Sequence, residues 1–182
     1  MSRQPHEESF EGAAEHEPAQ PDVAAQEYDR QLNAKFLNGA NWFFWIAALS
    51  VVNAVISLLE GDRHFVIGLG FTNIVNAVAV LAAKESPAAG VFIKAIAITV
   101  SCLAGAVVAT LGFGARRRLE WVFILGMILY ALDGLICLFI TDFLSFAFHL
   151  FALWSIFGGL RACRQLMTAE LYINDIPDAE PA

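Results

Sequence analysis

The stretch LYALDGLICLFITDFLSFAFHLFALW, residues 129–154, consists of two long apolar runs joined by the polar pair Thr141-Asp142. Apolar runs of about 20 residues are long enough to cross the roughly 30 Å hydrocarbon core of a bilayer as helices. A joint this short predicts two antiparallel membrane helices lying side by side. The stretch therefore indicates a polytopic membrane protein.

Each of these two runs carries one ionisable residue. Asp133 lies eight residues before Thr141 and His149 lies eight after it. At 1.5 Å per residue both are about 12 Å from the turn, so an antiparallel hairpin places them at the same depth. A charge at mid-bilayer costs roughly 2.5–3.5 kcal/mol, so each residue is predicted to be the other's partner. An ion pair and a neutral hydrogen bond both stay open, because burial and mutual attraction have opposite effects.

The composition fits the same class. Hydrophobic residues make up 58% of the 182 residues and charged residues 16%, against about 45–50% and 25% in soluble domains. The net charge of −7 belongs to the solvated tails, because the middle of the chain is balanced. This acidity argues against nucleic acid as a partner. The three cysteines are too few and too dispersed for a disulfide framework.

The predicted fold class is all-α, a polytopic transmembrane bundle preceded by a disordered acidic tail. No alternating strand pattern appears, so helices are the only suitable spanning elements. The transmembrane domain is predicted over residues 39–162 and a cytoplasmic tail over 163–182. Its five spans are predicted at 41–59, 65–83, 90–112, 121–140 and 143–160.

The sequence before the first span divides into two parts. Residues 1–23 are acidic and contain prolines, which predicts disorder. Residues 24–38 are predicted to form an amphipathic helix on the bilayer surface, ended by Asn38-Gly39. Its apolar face repeats at every fourth position: Tyr28, Leu32 and Phe36.

Orientation follows from the basic residues in short loops, since these favour the cytoplasmic side. Loops on one side of the five predicted spans hold six arginines and the opposite loops hold about four basic residues. The prediction is an N-terminus outside, a C-terminus in the cytoplasm and a location in the cell (inner) membrane. The lipid bilayer is the expected partner, with anionic headgroups against Arg116, Arg117 and Arg118.

Polar residues recur at helical spacing along each span, and most of them are explained by helix packing. The candidates for a buried polar or proton-handling site are Asn53, Asn76, Lys94, Tyr130, Asp133 and His149. Asn76, Lys94, Asp133 and His149 are predicted to share one layer in the outer leaflet. Alternatively, Lys94 extends to the headgroups.

Metal and cofactor sites are not predicted. Asp133, Cys137 and His149 are potential ligands, but no second histidine or paired cysteine completes a recognisable site. Catalytic residues are not identified either, and an intramembrane enzyme is the least favoured class. A homo-oligomer stays open.

The segments GMILYALDGLICLF and FHLFALW, within residues 121–160, resemble a hairpin of uncharacterised bacterial multi-span membrane proteins. The resemblance implies a helical hairpin and no activity. Two functions remain. The protein handles protons or a small solute through Asp133 and His149, or it is a structural or partner-binding protein in which the pair only locks two helices together.

Overall fold

The computed structural model of the chain describes residues 23–60 and 69–174. These residues form five α-helices and no strand, which confirms the all-α prediction. The helices are α1 (Val23–Glu60), α2 (Gly70–Glu85), α3 (Gly90–Arg116), α4 (Glu120–Phe139) and α5 (Phe143–Asn174). The predicted disordered tail, apart from Val23, and the predicted turn after the first span lie outside the described residues.

Among the described helices, four are long and apolar enough to cross a membrane: α1, α3, α4 and α5. This is the architecture of a multi-pass membrane protein. By contrast, α2 has 16 residues and is therefore about 24 Å long, less than the hydrocarbon thickness. The second predicted span, 65–83, is described only from Leu69 onward, and its helix begins at Gly70.

The predicted break at Asn38-Gly39 is wrong, because α1 continues through it without interruption. Gly39 serves a helix crossing instead: a Cβ atom built there would lie 2.5 Å from the Cα of Gly159 in α5. The two backbones thus meet at paired glycines, as is common between membrane helices. The predicted surface face is also wrong, because Leu32 and Phe36 are buried against protein while Tyr28 is exposed.

Contacts along the bundle show which helix ends lie together. At one end, here called the terminal end, Arg118 contacts both Phe36 of α1 and Glu170 of α5. The start of α1, the α3–α4 turn and the last part of α5 therefore share this end. Within the described residues the start of α1 and the end of α5 share one end of the bundle, whereas the five-span prediction placed the chain termini on opposite sides. The predicted tail from residue 163 is likewise helical as far as Asn174.

The opposite end, here called the turn end, holds the α2–α3 and α4–α5 turns. The short helix α2 starts beside Asp133, in the middle of α4, and runs toward the turn end beside α3. On the way Asn76 meets Ser101, and Ala83 meets Gly90 near the turn. Helix α2 therefore occupies one half of the bundle and begins in its interior.

The α4–α5 turn is as tight as the sequence predicts. Thr141 adopts a left-handed backbone with φ of 60°, an uncommon conformation for a β-branched residue. Asp142 then caps α5, its Oδ1 accepting the Ser145 N–H at 3.1 Å. The turn sets the antiparallel register of α4 and α5, and with it the common depth of Asp133 and His149.

Candidate functional site

The first turn of α2 lies in the bundle interior, where backbone N–H groups need acceptors from the protein. Leu69 precedes the helix with an extended backbone, and its apolar side chain cannot accept a hydrogen bond. Other helices provide the acceptors. The Leu69 N–H donates to Ser50 Oγ of α1 at 3.0 Å, and that hydroxyl donates to the Ile46 carbonyl at 2.8 Å.

Asp133 of α4 accepts the next two amides of α2. Its Oδ2 accepts the Gly70 N–H at 2.7 Å, and its Oδ1 accepts the Phe71 N–H at 2.9 Å. The carboxyl group therefore acts as an N-terminal cap supplied by a distant part of the chain, and the positive end of the helix dipole favours its ionised form. Glycine is needed at position 70, because a Cβ there would lie 2.7 Å from Cys137 Sγ.

The position of His149 in α5 confirms the predicted pairing with Asp133. Its Nε2 lies 2.9 Å from Asp133 Oδ2, and its Nδ1 lies 2.7 Å from the Ser145 carbonyl. A carbonyl only accepts, so Nδ1 carries a hydrogen. The contact between Nε2 and Oδ2 then needs one further proton, bound either to the imidazole or to the carboxyl group. The pair is neutral overall in both arrangements.

Tyr130 completes the cluster from one turn before Asp133. Its ring stacks on the His149 imidazole, with centroids 4.3 Å apart and planes inclined by 20°. The Tyr130 hydroxyl is buried and has no hydrogen-bond partner among the described residues. One turn further along α4, Gly134 allows close approach of the helices, since a Cβ there would lie 3.0 Å from His149 Cβ. Both contacts hold the ring in place.

A cavity of about 280 Å³ adjoins this cluster. Its walls come from α1, α3, α4 and the beginning of α2, and they are almost entirely apolar. Tyr130 and Asp133 are its polar lining residues; the others are Phe43, Ile46, Leu69, Phe71, Ala104, Val107, Val108, Leu111, Gly126 and Leu129. Asp133, whose carboxylate caps α2, is therefore also a lining residue of a space large enough for a small molecule.

The common outer layer of Asn76, Lys94, Asp133 and His149 stays a prediction. Asn76 belongs to the α2–α3 interface, where its Oδ1 accepts the Ser101 hydroxyl at 3.3 Å. Lys94 lines a separate pocket beside the α2–α3 turn. Asn53 of α1 donates to Asn73 of α2. Of the six predicted site residues, the structure brings together Tyr130, Asp133 and His149, and it uses the two asparagines to join α2 to its neighbours.

Two of the three clustered arginines have partners within the protein. Arg116 donates to Asn41 Oδ1 through Nε at 3.0 Å and through Nη2 at 2.6 Å, and its guanidinium lies over the Phe44 ring. Arg118 forms an ion pair with Glu170. These contacts tie the α3–α4 turn to α1 and α5. Binding of anionic lipid at this cluster stays a prediction.

The residues that the sequence did not indicate are the backbone donors Gly70 and Phe71 and the acceptor Ser50. The segment GLGFTN contained the only available signal, a glycine in the middle of an apolar run. Such a glycine permits close backbone approach. Identifying its partner needs the tertiary structure, because Asp133 lies 63 residues away.

A search for metal sites among the described residues finds no group of three or more His, Cys, Asp or Glu side chains able to hold an ion. No protein-family model, curated protein or solved structure matches the chain. The class of the protein is therefore defined by its helices and its buried site: a multi-pass membrane protein with an Asp–His pair at the start of a short internal helix.

Proposed function

We propose that this integral membrane protein handles protons together with a small solute, using the Asp133–His149 pair. One observation carries the proposal: a single residue, Asp133, contacts His149, caps the first amides of α2 and lines a cavity. Helix N-termini inside membrane proteins are favourable sites for anionic or polar ligand groups. Here Asp133 occupies that position itself, so its charge controls access to the N–H groups.

The position of the proton shared by Asp133 and His149 sets the charge of Asp133. When the proton is on His149, the Asp133 carboxylate is ionised and binds the Gly70 and Phe71 amides strongly, as charged acceptors do. When the proton moves to Asp133, the acceptor becomes neutral and its hold on α2 weakens. The start of α2 is then free to shift or to accept another polar group. Proton transfer over the 2.9 Å contact is thereby coupled to the position of a short helix.

Asp133→Asn tests this proposal with little change of shape. The amide retains one acceptor for α2 and presents an N–H₂ to His149, so the bundle should fold. It cannot exchange a proton with the imidazole. Purified protein in liposomes with a trapped pH-sensitive dye should dissipate a pH gradient, and Asp133→Asn should slow this at least about tenfold, to the rate of empty liposomes. Asp142→Asn, at the surface turn, is the matched control and should behave as wild type. Equal rates in wild-type and empty liposomes would contradict proton handling.

The second candidate is a structural or partner-binding protein in which the pair only locks helices. It is favoured by the complete hydrogen bonding of the pair: both His149 nitrogens and both Asp133 oxygens have partners. A lock of this kind predicts that Asp133→Asn, once folded, keeps the cellular phenotype of the wild type. The first proposal predicts that the folded variant loses it.

For orientation, we propose that both termini are cytoplasmic. Among the described residues, the terminal end carries seven basic residues and the turn end two. The seven are Arg30, Lys35, Arg116, Arg117, Arg118, Arg161 and Arg164; the two are Lys84 and Lys94. A bias of this size favours the cytoplasm for the terminal end. Reporter fusions at residues 20 and 175 should report the same, cytoplasmic side, and reporters on opposite sides would contradict the four-crossing arrangement. Location in the cell (inner) membrane of a bacterium follows from the resemblance of the last hairpin and stays a prediction.

A further inference from the structure

A second cleft, of about 360 Å³, lies between α1 and α5 at the terminal end of the bundle. The two helices run in opposite directions and cross where Gly39 meets Gly159. At 1.5 Å per residue, Lys35 lies about 6 Å beyond this crossing along α1 and Arg161 about 3 Å beyond it along α5. The other lining residues are Leu32, Gly158, Ala162 and Gln165. Two basic residues from different helices therefore line the same space.

The basic residues of this cleft differ from most others at the terminal end. Four of the seven there have polar partners: Arg30 with Glu27, Arg116 with Asn41, Arg118 with Glu170 and Arg164 with Glu120. Lys35 and Arg161 form no hydrogen bond or ion pair with another described residue, although the Arg161 guanidinium lies over the Phe157 ring. No acidic residue is among those that line the cleft. The cleft thus concentrates positive charge that the described protein does not neutralise.

The depth of the cleft in the bilayer follows from the position of Arg161. This residue directly follows the apolar run of α5, residues 143–160. A helical run of this length spans about 27 Å, close to the thickness of the hydrocarbon core. The cleft therefore lies at the boundary between hydrocarbon and headgroups, which is where lipid phosphates are found.

An apolar surface continues from the cleft toward the middle of the bilayer. Trp154, Gly158, Arg161 and Gln165 follow one another at spacings of four, three and four, so they share one face of α5. A Cβ atom built at Gly158 would meet nothing within 4 Å, and Trp154 is 76% exposed. An acyl chain can therefore lie along this face while its headgroup occupies the cleft.

An anionic phospholipid matches both parts of this surface. Its phosphate oxygens accept hydrogen bonds, and the side chains of Lys35, Arg161 and Gln165 are donors. Basic pockets between membrane helices bind anionic headgroups on the cytoplasmic side. The volume of about 360 Å³ is near the lower end of the range for ligand pockets, which suits a headgroup with its acyl chains outside.

We propose that this cleft binds the headgroup of an anionic phospholipid, with Lys35 and Arg161 contacting its phosphate. The site goes beyond the proposed function, because it involves neither Asp133 nor His149. It also differs from the predicted lipid contact at residues 116–118, where two of the three arginines have partners within the protein. Bound lipid would connect α1 to α5 just beyond their crossing.

The test compares two lipids that differ only in their headgroups. Purified protein is equilibrated in detergent micelles with equal amounts of phosphatidylglycerol and phosphatidylcholine that have the same acyl chains, and native mass spectrometry counts the retained lipids. A basic side chain near an anionic surface strengthens binding about fivefold, so wild type should prefer phosphatidylglycerol about 25-fold. Lys35→Gln combined with Arg161→Gln should retain both lipids about equally. Both side chains are exposed, so this variant should fold, which circular dichroism checks.

Two further variants separate the cleft from total charge. Arg30→Gln combined with Arg117→Gln removes the same charge from the same end but outside the cleft, and should keep the wild-type preference. Gly158→Phe retains both charges and places a ring in the open space of the cleft, and should abolish the preference. No preference in wild type, or equal losses in the two charge variants, would overturn the inference.

An excess of glycerol phosphate distinguishes a lipid from a soluble phosphate compound. It carries the phosphate group without acyl chains, so it should not displace phosphatidylglycerol from wild type. Complete displacement would assign the cleft to a soluble phosphate compound and overturn the assignment to lipid.

Discussion

Asp133 and Asp142 both cap the N-terminus of a helix, one in the bundle interior and the other at a surface turn. Each carboxylate accepts backbone N–H groups at the start of a helix. Asp142 sits in the turn directly before α5 and accepts the amide of Ser145, three residues away. Asp133 sits in the middle of α4 and accepts the amides of Gly70 and Phe71, more than 60 residues away.

The comparison shows what a buried cap requires. A carboxylate at a surface turn is partly hydrated and needs little beyond its local bond. A carboxylate at mid-bilayer carries an insertion cost of roughly 2.5–3.5 kcal/mol and must be compensated. For Asp133, hydrogen bonds from two backbone amides and the contact with His149 compensate this cost. We conclude that the remote cap Asp133 fixes where α2 begins, whereas the local cap Asp142 only adds a hydrogen bond at the start of α5.

Asp133→Ala should have the largest effect on stability. It leaves the Gly70 and Phe71 amides and the His149 imidazole without their acceptor in the bundle interior. The free energy of unfolding should fall by roughly 3–5 kcal/mol, as for other broken buried pairs. Unfolding by increasing mole fraction of sodium dodecyl sulfate in mixed micelles, followed by circular dichroism, measures this. A loss below about 1 kcal/mol would mean that Asp133 does not hold α2.

Removing both partners should restore only part of that loss. If Asp133 and His149 bonded only to each other, apolar residues could replace both of them at little cost in stability. Asp133→Leu combined with His149→Phe removes the uncompensated imidazole, but the two amides of α2 still lack an acceptor. We expect the double variant to remain about 2–4 kcal/mol less stable than wild type in the same assay. Full recovery would show that the cap of α2 is dispensable.

Gly70→Ala tests the close approach of α2 to α4 without altering either carboxylate. The added Cβ would meet Cys137 Sγ at 2.7 Å and the Asp133 carbonyl oxygen at 3.1 Å, so the start of α2 must move. A loss of about 1–3 kcal/mol is expected, as for other overpacked sites. Gly158→Ala, where no described atom lies within 4 Å of the new Cβ, should be neutral or slightly stabilising. Adding Cys137→Ala to Gly70→Ala should recover part of the loss, and no recovery would locate the clash elsewhere.

Asp142→Ala should have the smallest effect. It removes one N-terminal cap at a surface turn, which typically costs about 1 kcal/mol. The pH-gradient assay should be unaffected, because Asp142 does not contact Asp133 or His149 in the described structure. An effect as large as that of Asp133→Ala would remove the distinction between the two caps.

The last hairpin could be predicted from sequence because its determinants are local. The joint at Thr141-Asp142 fixes the register, and equal spacing then fixes the depth of Asp133 and His149. The start of α2 could not be predicted, because it depends on an acceptor supplied by another helix. The helix end predicted at Gly39 was wrong for a related reason. Locally the residue resembles a helix stop, but in the structure the absence of a side chain lets α1 pack closely against Gly159 of α5. With α2 assigned as a full span, the prediction counted five crossings and therefore placed the N-terminus on the side opposite to the C-terminus.

Amide hydrogen exchange at Gly70 and Phe71, measured by nuclear magnetic resonance in nanodiscs, tests the central claim most directly. With Asp133 as their acceptor, both amides should exchange slowly in wild type and at least about tenfold faster in Asp133→Ala. The Leu69 amide, bonded to Ser50, and the Ser145 amide, bonded to Asp142, should change much less. Rapid exchange of the Gly70 and Phe71 amides in wild type, or unchanged protection in Asp133→Ala, would contradict the claim that Asp133 caps α2.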